Sequence, residues 1–286
     1  MSSSAKALLA ILAHPDDESF GPGGTLAKYA AQGVDVHIAI ATDGAAGSVV
    51  KGHEEKRAEL AAVRSVELDE AVRILGGTLH RLGYRDSGMK GDEANDHPEA
   101  FIRSDLDEAV GRVVRLIREI RPQVVLTHDE TGGYFHPDHI RCWEVTTAAF
   151  EAAGNPEKYP EQNLPPYQPE RLYYTAFPKR YVNIGIALMR LTRKDPTKAG
   201  LNGDIDLTKL GMPNEKINAR IDIRDYWQVK KEASAAHATQ GGGGMLTSLL
   251  PDWFLRQLLG RELFMRAYPP LQPGEREQDL FGANGS

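Results

Sequence analysis

The segment His14-Pro15-Asp16-Asp17-Glu18 gathers an imidazole and three carboxylates at one turn of the chain. A second cluster, His136-Pro137-Asp138-His139, places two imidazoles three residues apart beside a further carboxylate. Imidazole with carboxylate is a hard-to-borderline donor set that suits a divalent metal such as zinc. On the first turn of a helix His136 and His139 can share a face, so both could ligate one ion, or one could act in catalysis. Joined, the clusters offer His14, His139 and one aspartate as ligands and leave a position open, the arrangement of catalytic rather than structural zinc. Spacing does not decide between Asp16 and Asp17 as that ligand. The other carboxylate would take a proton from a metal-held water whose pKa falls toward about 7. His136 would steady an oxyanion or protonate a leaving amine, and Tyr134 could hydrogen-bond the same oxygen. Asp138 would orient a histidine from behind. The chemistry implied is metal-dependent hydrolysis.

What must position these groups is a pair of strand ends. The apolar run Ala7–Ala13 reads as a buried strand that delivers His14 at its carboxyl end, where ligands sit in open α/β sheets. Gln123–Thr127 reads as another, leading into His128, Asp129 and the second cluster. Either cluster has a simpler reading: Asp17 as a helix cap, Asp138 as a first-turn carboxylate. That both follow buried strands favours a shared site. Between them the chain alternates: a helix over Thr25–Gln32, a strand over Val34–Thr42, a helix from His53 to Leu75, a strand over Leu79–Leu82, and helices over Asp105–Ile120 and Ile140–Ala153. This alternation predicts an α/β, Rossmann-like fold with a mainly parallel sheet flanked by helices. Beyond Gly154 the pattern weakens. A Pro- and Asn-rich loop to Pro169, a strand at Arg171–Ala176, a polar excursion over Lys194–Lys216, a strand at Ala219–Ile223 and helices over Tyr226–His237 and Asp252–Arg266 make a mixed C-terminal part over the active-site edge. The whole of 1–286 reads as one domain: core 1–153, substrate-mouth region 154–268, and a polar, frayed tail 269–286.

Composition excludes several classes. A formal net charge of −6 gives no general attraction to nucleic acid or anionic membranes. The pairs Lys56-Arg57 and Lys230-Lys231 have acids close by and read as solvated helix faces. Cys142 has no partner for a disulfide and is expected buried and inert. The N-terminal apolar run is too short and too soon charged for a signal peptide or a membrane span, which predicts a cytoplasmic protein. The turn Gly21-Pro22-Gly23-Gly24 lacks the spacing of a dinucleotide fingerprint.

Ala13-His14-Pro15-Asp16-Asp17-Glu18 together with His136-Pro137-Asp138-His139 resembles the LmbE-like, or PIG-L, family of zinc-dependent N-deacetylases. Tyr84-Arg85-Asp86-Ser87-Gly88-Met89 and Ala236-His237-Ala238-Thr239-Gln240 are most similar to its mycothiol-pathway branch. The resemblance implies zinc on His14, Asp17 and His139, with Asp16 as general base, His136 as transition-state histidine and Tyr134 as its companion. It implies substrate-hydroxyl contacts from Arg57 and Asp86. His237 is expected behind the site, on a loop before Gly241–Gly244, and His128 and Asp129 behind the ligands. The loop Asp43–Ser48 departs from the Gly-Glu-x-Gly pattern of many relatives, and the segments 154–169 and 194–216 match nothing in the family.

The expected function is hydrolysis of the N-acetyl group of a small N-acetylglucosamine-type substrate by a metal-activated water. The ligand set also accepts iron(II), and a homo-oligomer is compatible with the sequence. The alternatives are an amidase acting on another amide, such as a thiol conjugate, and a metal-binding protein without catalysis. Asp16 and His136 argue against the last, since holding a metal needs neither.

Overall fold

The run Ala7–Leu12 (β1) is buried along its full length, as a strand covered on both faces must be. The computed structural model describes residues 6–50, 52–199, 203, 205–242, 251–272 and 274–282. With β2 (Asp35–Thr42), β3 (Thr78–Tyr84), β4 (Val124–Thr127), β5 (Arg171–Thr175), β6 (Ala219–Asp222) and β7 (Arg261–Tyr268), β1 builds a sheet of order β3-β2-β1-β4-β5-β7-β6. Strands β1 to β5 pair in parallel, and β7 runs antiparallel between β5 and β6.

Helices occupy both faces: α1 (Asp17–Phe20), α2 (Gly23–Ala31), α3 (Leu60–Leu75), α4 (Leu106–Ile120), α5 (Gly132–Phe135), α6 (Pro137–Ala153), α7 (Lys179–Leu191) and α8 (Trp227–Ala236). Leu8, Ala10 and Leu12 pack with Leu26 of α2, Leu68 and Val72 of α3 and Ala233 of α8. Leu9 and Ile11, facing the other way, pack with Val113 and Ile117 of α4 and Val145 of α6. Each fully buried large side chain in these layers contributes roughly 1.5–3 kcal/mol. The chain leaves β1 for β2 on one side and reaches β4 on the other. The crevice at the carboxyl ends of β1 and β4 is therefore the point where strand order reverses, the usual ligand position in such sheets.

Several expectations are corrected. The helix expected from His53 is a 3-10 turn over Glu54–Glu59, with α3 proper starting at Leu60. Helix α6 starts at Pro137, three residues before Ile140, because His136 caps it and Pro137 fits its first position. The helix expected over Asp252–Arg266 stops at Leu259; from Arg261 the buried positions Glu262 and Phe264 alternate, and the segment becomes β7. Helix α7 falls where no element was assigned. The tail is not frayed through Gly282: Leu280 is fully buried and its N–H donates to Tyr29 Oη at 2.7 Å, while Tyr173 Oη donates to Glu277 at 2.8 Å. Residues 155–168 pack on α4, where Tyr159 reaches Asp107 and Gln162 reaches the Gly111 carbonyl.

Candidate active site

His14 leaves β1 directly, and its N–H donates to Asp17 Oδ2 at 2.8 Å. The partner loop is held by Asp129, whose Oδ1 accepts from the N–H groups of Thr131 and Gly133 at 3.1 and 2.9 Å. His136 then caps α6: its Nδ1 accepts the Asp138 N–H at 3.2 Å. These two turns bring the predicted ligands together. His14 Nδ1 lies 3.0 Å from His139 Nε2 and 3.7 Å from Asp17 Oδ2, and His139 Nε2 lies 3.4 Å from Asp17 Oδ2. Tetrahedral donors about 2.0–2.1 Å from a zinc ion stand roughly 3.3 Å apart, so this triangle has the dimensions of one face of such a site.

The outer hydrogen bonds aim the lone pairs. His139 Nδ1 donates to the Gly132 carbonyl at 3.1 Å, leaving Nε2 free to bind a metal. His14 Nε2 faces Asp138 Oδ2 at 3.3 Å and Asp86 Oδ1 at 3.4 Å, leaving Nδ1 free in the same way. This is the carboxylate–histidine support typical of metal ligands. Burial disfavours a charge on His14, yet Asp86, Asp138 and Asp17 outweigh it and raise its pKa well above the ordinary value. The pocket favours a cation at this spot, a proton or a metal.

Asp16 stands beside the triangle in an unusual conformation, φ 123° and ψ −28°, rarely adopted by a residue with a Cβ. Its N–H donates to Glu18 Oε2 at 3.0 Å. Glu18 is fully buried, and its Oε1 lies 2.6 Å from His237 Nε2. On the other side Arg64, from α3, donates to Asp16 Oδ2 at 3.0 Å, to the Gly44 carbonyl at 3.0 Å and to the Pro15 carbonyl. A Cβ on Gly44 would lie 2.6 Å from the Arg64 guanidinium, so the loop after β2 needs glycine there. Burial pushes the Asp16 carboxyl up, Arg64 pulls it back and Asp17 pushes it again, to about 7. His136 is held down to about 3, first by burial and then by His14. With Nδ1 accepting, its proton sits on Nε2.

A cavity of about 410 Å³ lies over these groups, with His14, Asp16, Tyr134, His136, Ile205 and Gln240 in its wall. Tyr134 Oη is 3.5 Å from His139 Nε2. Asp86 also lines it, but its oxygens already serve His14, the Gly88 N–H at 2.8 Å and the Ala46 N–H at 3.2 Å. Arg57 is exposed and donates to the carbonyl of Gly47, a residue of the cavity wall. Asp138 sits behind His14, and His128 stacks on His139 with centroids 4.0 Å apart. His237 lies behind Asp16 by way of Glu18; Gly243 and Gly244 fall outside the described residues. Ile205 brings the polar excursion to the cavity, whereas the segment 154–169 does not line it. Cys142 is buried and pushed up to about 12, first by burial. Arg64, Glu18 and Glu67, which accepts the Thr239 N–H at 2.9 Å, had no assigned role in the sequence reading.

The GlcNAc-PI de-N-acetylase (PIG-L) family profile matches residues 9–150, the stretch that carries both clusters. The 1D-myo-inositol 2-acetamido-2-deoxy-alpha-D-glucopyranoside deacetylase of Rhodococcus erythropolis is 39% identical over 99% of each chain. The enzyme of the same name from Thermomonospora curvata is 37% identical over 96% of this chain and 93% of its own. Among solved structures, the N,N'-diacetylchitobiose deacetylase of Pyrococcus horikoshii superposes with a TM-score of 0.61 at 22% identity, over 95% of this chain and 85% of that one. GalB, the 4-carboxy-2-hydroxymuconate hydratase of Pseudomonas putida, gives 0.62 at 18% identity, over 93% and 98%. A deacetylase and a hydratase thus share the fold, and likeness at that level shows architecture alone. Among the described residues no helix is long and apolar enough to cross a membrane. Identity that runs end to end with the deacetylase relatives shows more: the chain belongs to the PIG-L family of de-N-acetylases.

Proposed function

We propose that this N-deacetylase uses zinc held by His14, Asp17 and His139 to remove the acetyl group from a small N-acetylglucosaminide, releasing acetate and a free amine. The observation that carries the reading is the donor triangle, whose two imidazoles are turned lone pair inward by Asp138, Asp86 and the Gly132 carbonyl. When bound, zinc supplies Lewis acidity and lowers the pKa of a water it holds; the same donors accept iron(II).

Asp16, in its strained turn, takes the proton of the attacking water and passes it to the departing amine nitrogen as the C–N bond breaks. Neutral His136 donates its Nε2–H to the oxygen that gains negative charge when the carbonyl carbon becomes tetrahedral, and Tyr134 Oη donates to the same oxygen. Asp138 keeps His14 oriented, and the Glu18–His237 pair holds the Asp16 backbone. Arg57, tied to the wall residue Gly47, and Asp86, whose oxygens are shared with His14 and two backbone N–H groups, are the side chains assigned to sugar hydroxyls. The near full-length identity to enzymes named for a glucosaminyl-inositol substrate supports that ligand class over a thiol-conjugate amide. A cytoplasmic setting and a homo-oligomer complete the reading.

The test is amine release by the metal-loaded enzyme from N-acetylglucosaminyl-inositol, simple N-acetylglucosaminides and a thiol-conjugate amide. Release from the first two that collapses in Asp16→Asn supports the proposal. Turnover of the thiol conjugate alone overturns the substrate assignment.

A further inference from the structure

Helix α7 is built with two apolar faces. Val182 and Ile186 are buried and pack with Leu210, Tyr134 and Ile205. Tyr134 and Ile205 also line the active-site cavity, so α7 forms part of its rim. On the outer face Phe177, Ile184, Leu188 and Leu191 are 57%, 57%, 58% and 80% exposed. With the half-buried Tyr181 they recur every three or four residues, one continuous stripe along the helix and the turn before it. Isolated exposed apolar residues need no explanation, but a contiguous stripe marks an interaction surface.

The charge around the stripe identifies the occupant. Residues 179–194 hold Lys179, Arg180, Arg190, Arg193 and Lys194 and no acid. Among the described residues none of the five makes an ion pair of the kind that neutralises Arg73, Arg81 or Arg112 elsewhere. In a chain with formal net charge −6 this segment carries +5. A second copy docked face to face would set these charges against their own images. An exposed apolar stripe flanked by basic side chains is the pattern of a helix lying in a lipid interface.

We propose that α7 is an interfacial helix that docks the protein on an anionic lipid surface, with Phe177, Ile184, Leu188 and Leu191 entering the headgroup boundary, and Arg180 at the stripe's edge with Arg193 and Lys194 past the helix's last turn meeting lipid phosphates. The docked face is the outer side of the active-site rim, so the cavity would sit close to the membrane surface. The proposal does not depend on which substrate is hydrolysed.

The test is flotation of the full-length protein with vesicles of phosphatidylglycerol and phosphatidylcholine, compared with phosphatidylcholine alone. Binding to the anionic vesicles at least about tenfold tighter, and weakened by added salt, is expected from basic side chains held near such a surface. Leu188→Asp with Leu191→Asp, both solvent-exposed, should abolish flotation while thermal unfolding stays unchanged. Arg180→Glu with Arg193→Glu should remove the preference for anionic lipid and leaves the apolar stripe intact. Absence of flotation, or flotation equal in both variants and the parent, overturns the proposal. So does a dimer in sedimentation that the leucine substitutions disperse in place of lipid binding, which would give the face to a second copy.

Discussion

Arg64 Nη2 lies 3.0 Å from Asp16 Oδ2, tying a buried guanidinium on α3 to the carboxylate beside the metal-ligand triangle. Asp16 must be ionised to accept a proton, so activity should rise with pH through its pKa. Burial raises that pKa and Arg64 lowers it. Arg64→Met therefore moves the acid limb of kcat/KM to higher pH and lowers the rate at neutral pH about ten- to a hundredfold. The pH–rate profile checks it; an unmoved limb contradicts the coupling.

Asp16→Asn keeps the side-chain shape and a hydrogen bond from Arg64 but cannot take a proton. Loss of a positioned general base costs about 10²–10⁴ in rate. The expected result is that loss in kcat with metal content unchanged, read by metal analysis of the purified variant.

His136 is neutral across the working range, since its pKa is held near 3. His136→Phe should lower kcat about 10²–10³-fold, the typical loss of one oxyanion donor. KM and the position of the acid limb should stay near the parent values. A large rise in KM at constant kcat would place His136 in substrate binding instead.

The pair Glu18–His237, at 2.6 Å, links the first metal-site turn to α8. Burial lowers the His237 pKa, but Glu18 and its hydrogen bond outweigh burial and raise it. A raised folded value means that the pair's stabilisation is full below about pH 6.5 and is lost as pH rises through the folded value. His237→Ala leaves Glu18 buried without that partner and should cost about 3–5 kcal/mol. Urea unfolding across pH 5–9 (roughly the range in which histidine titrates) should show this slope in the parent, and Glu18→Gln should flatten it.

Phe264 tests the strand that replaces an expected helix. It is 1% exposed on β7, opposite Ala219 of β6 and Thr175 of β5. Phe264→Ala should destabilise by about 3–5 kcal/mol, whereas Trp253→Ala, at 69% exposure on the preceding helix, should fall within about 0.5 kcal/mol.

The strands that carry the site were legible because burial on both faces forces continuous apolar runs, as in Ala7–Leu12 and Val124–Thr127. His14 and His139 were legible because their clusters end strands that prove to be neighbours, Leu8 pairing with Val124. Arg64 was hidden in a helix with many charges, where a buried arginine and a solvated one look alike in sequence. Glu18 looked like one more acid in the turn until its oxygens met Asp16 N–H and His237. Most of the β7 segment, as far as Arg266, reads as the end of a helix begun at Asp252, and only pairing to β5 and β6 makes it a strand. The tail was misread because its anchors, Tyr29 and Tyr173, lie far away in sequence.

The most direct test of the central claim is stepwise return of zinc to the metal-stripped enzyme, following bound metal and amine release from N-acetylglucosaminyl-inositol together. The account predicts activity that rises in proportion to the first equivalent of zinc per chain, with the tight binding lost in His14→Ala and His139→Ala. Full amine release from stripped protein, or tight zinc binding that survives both substitutions, would contradict it.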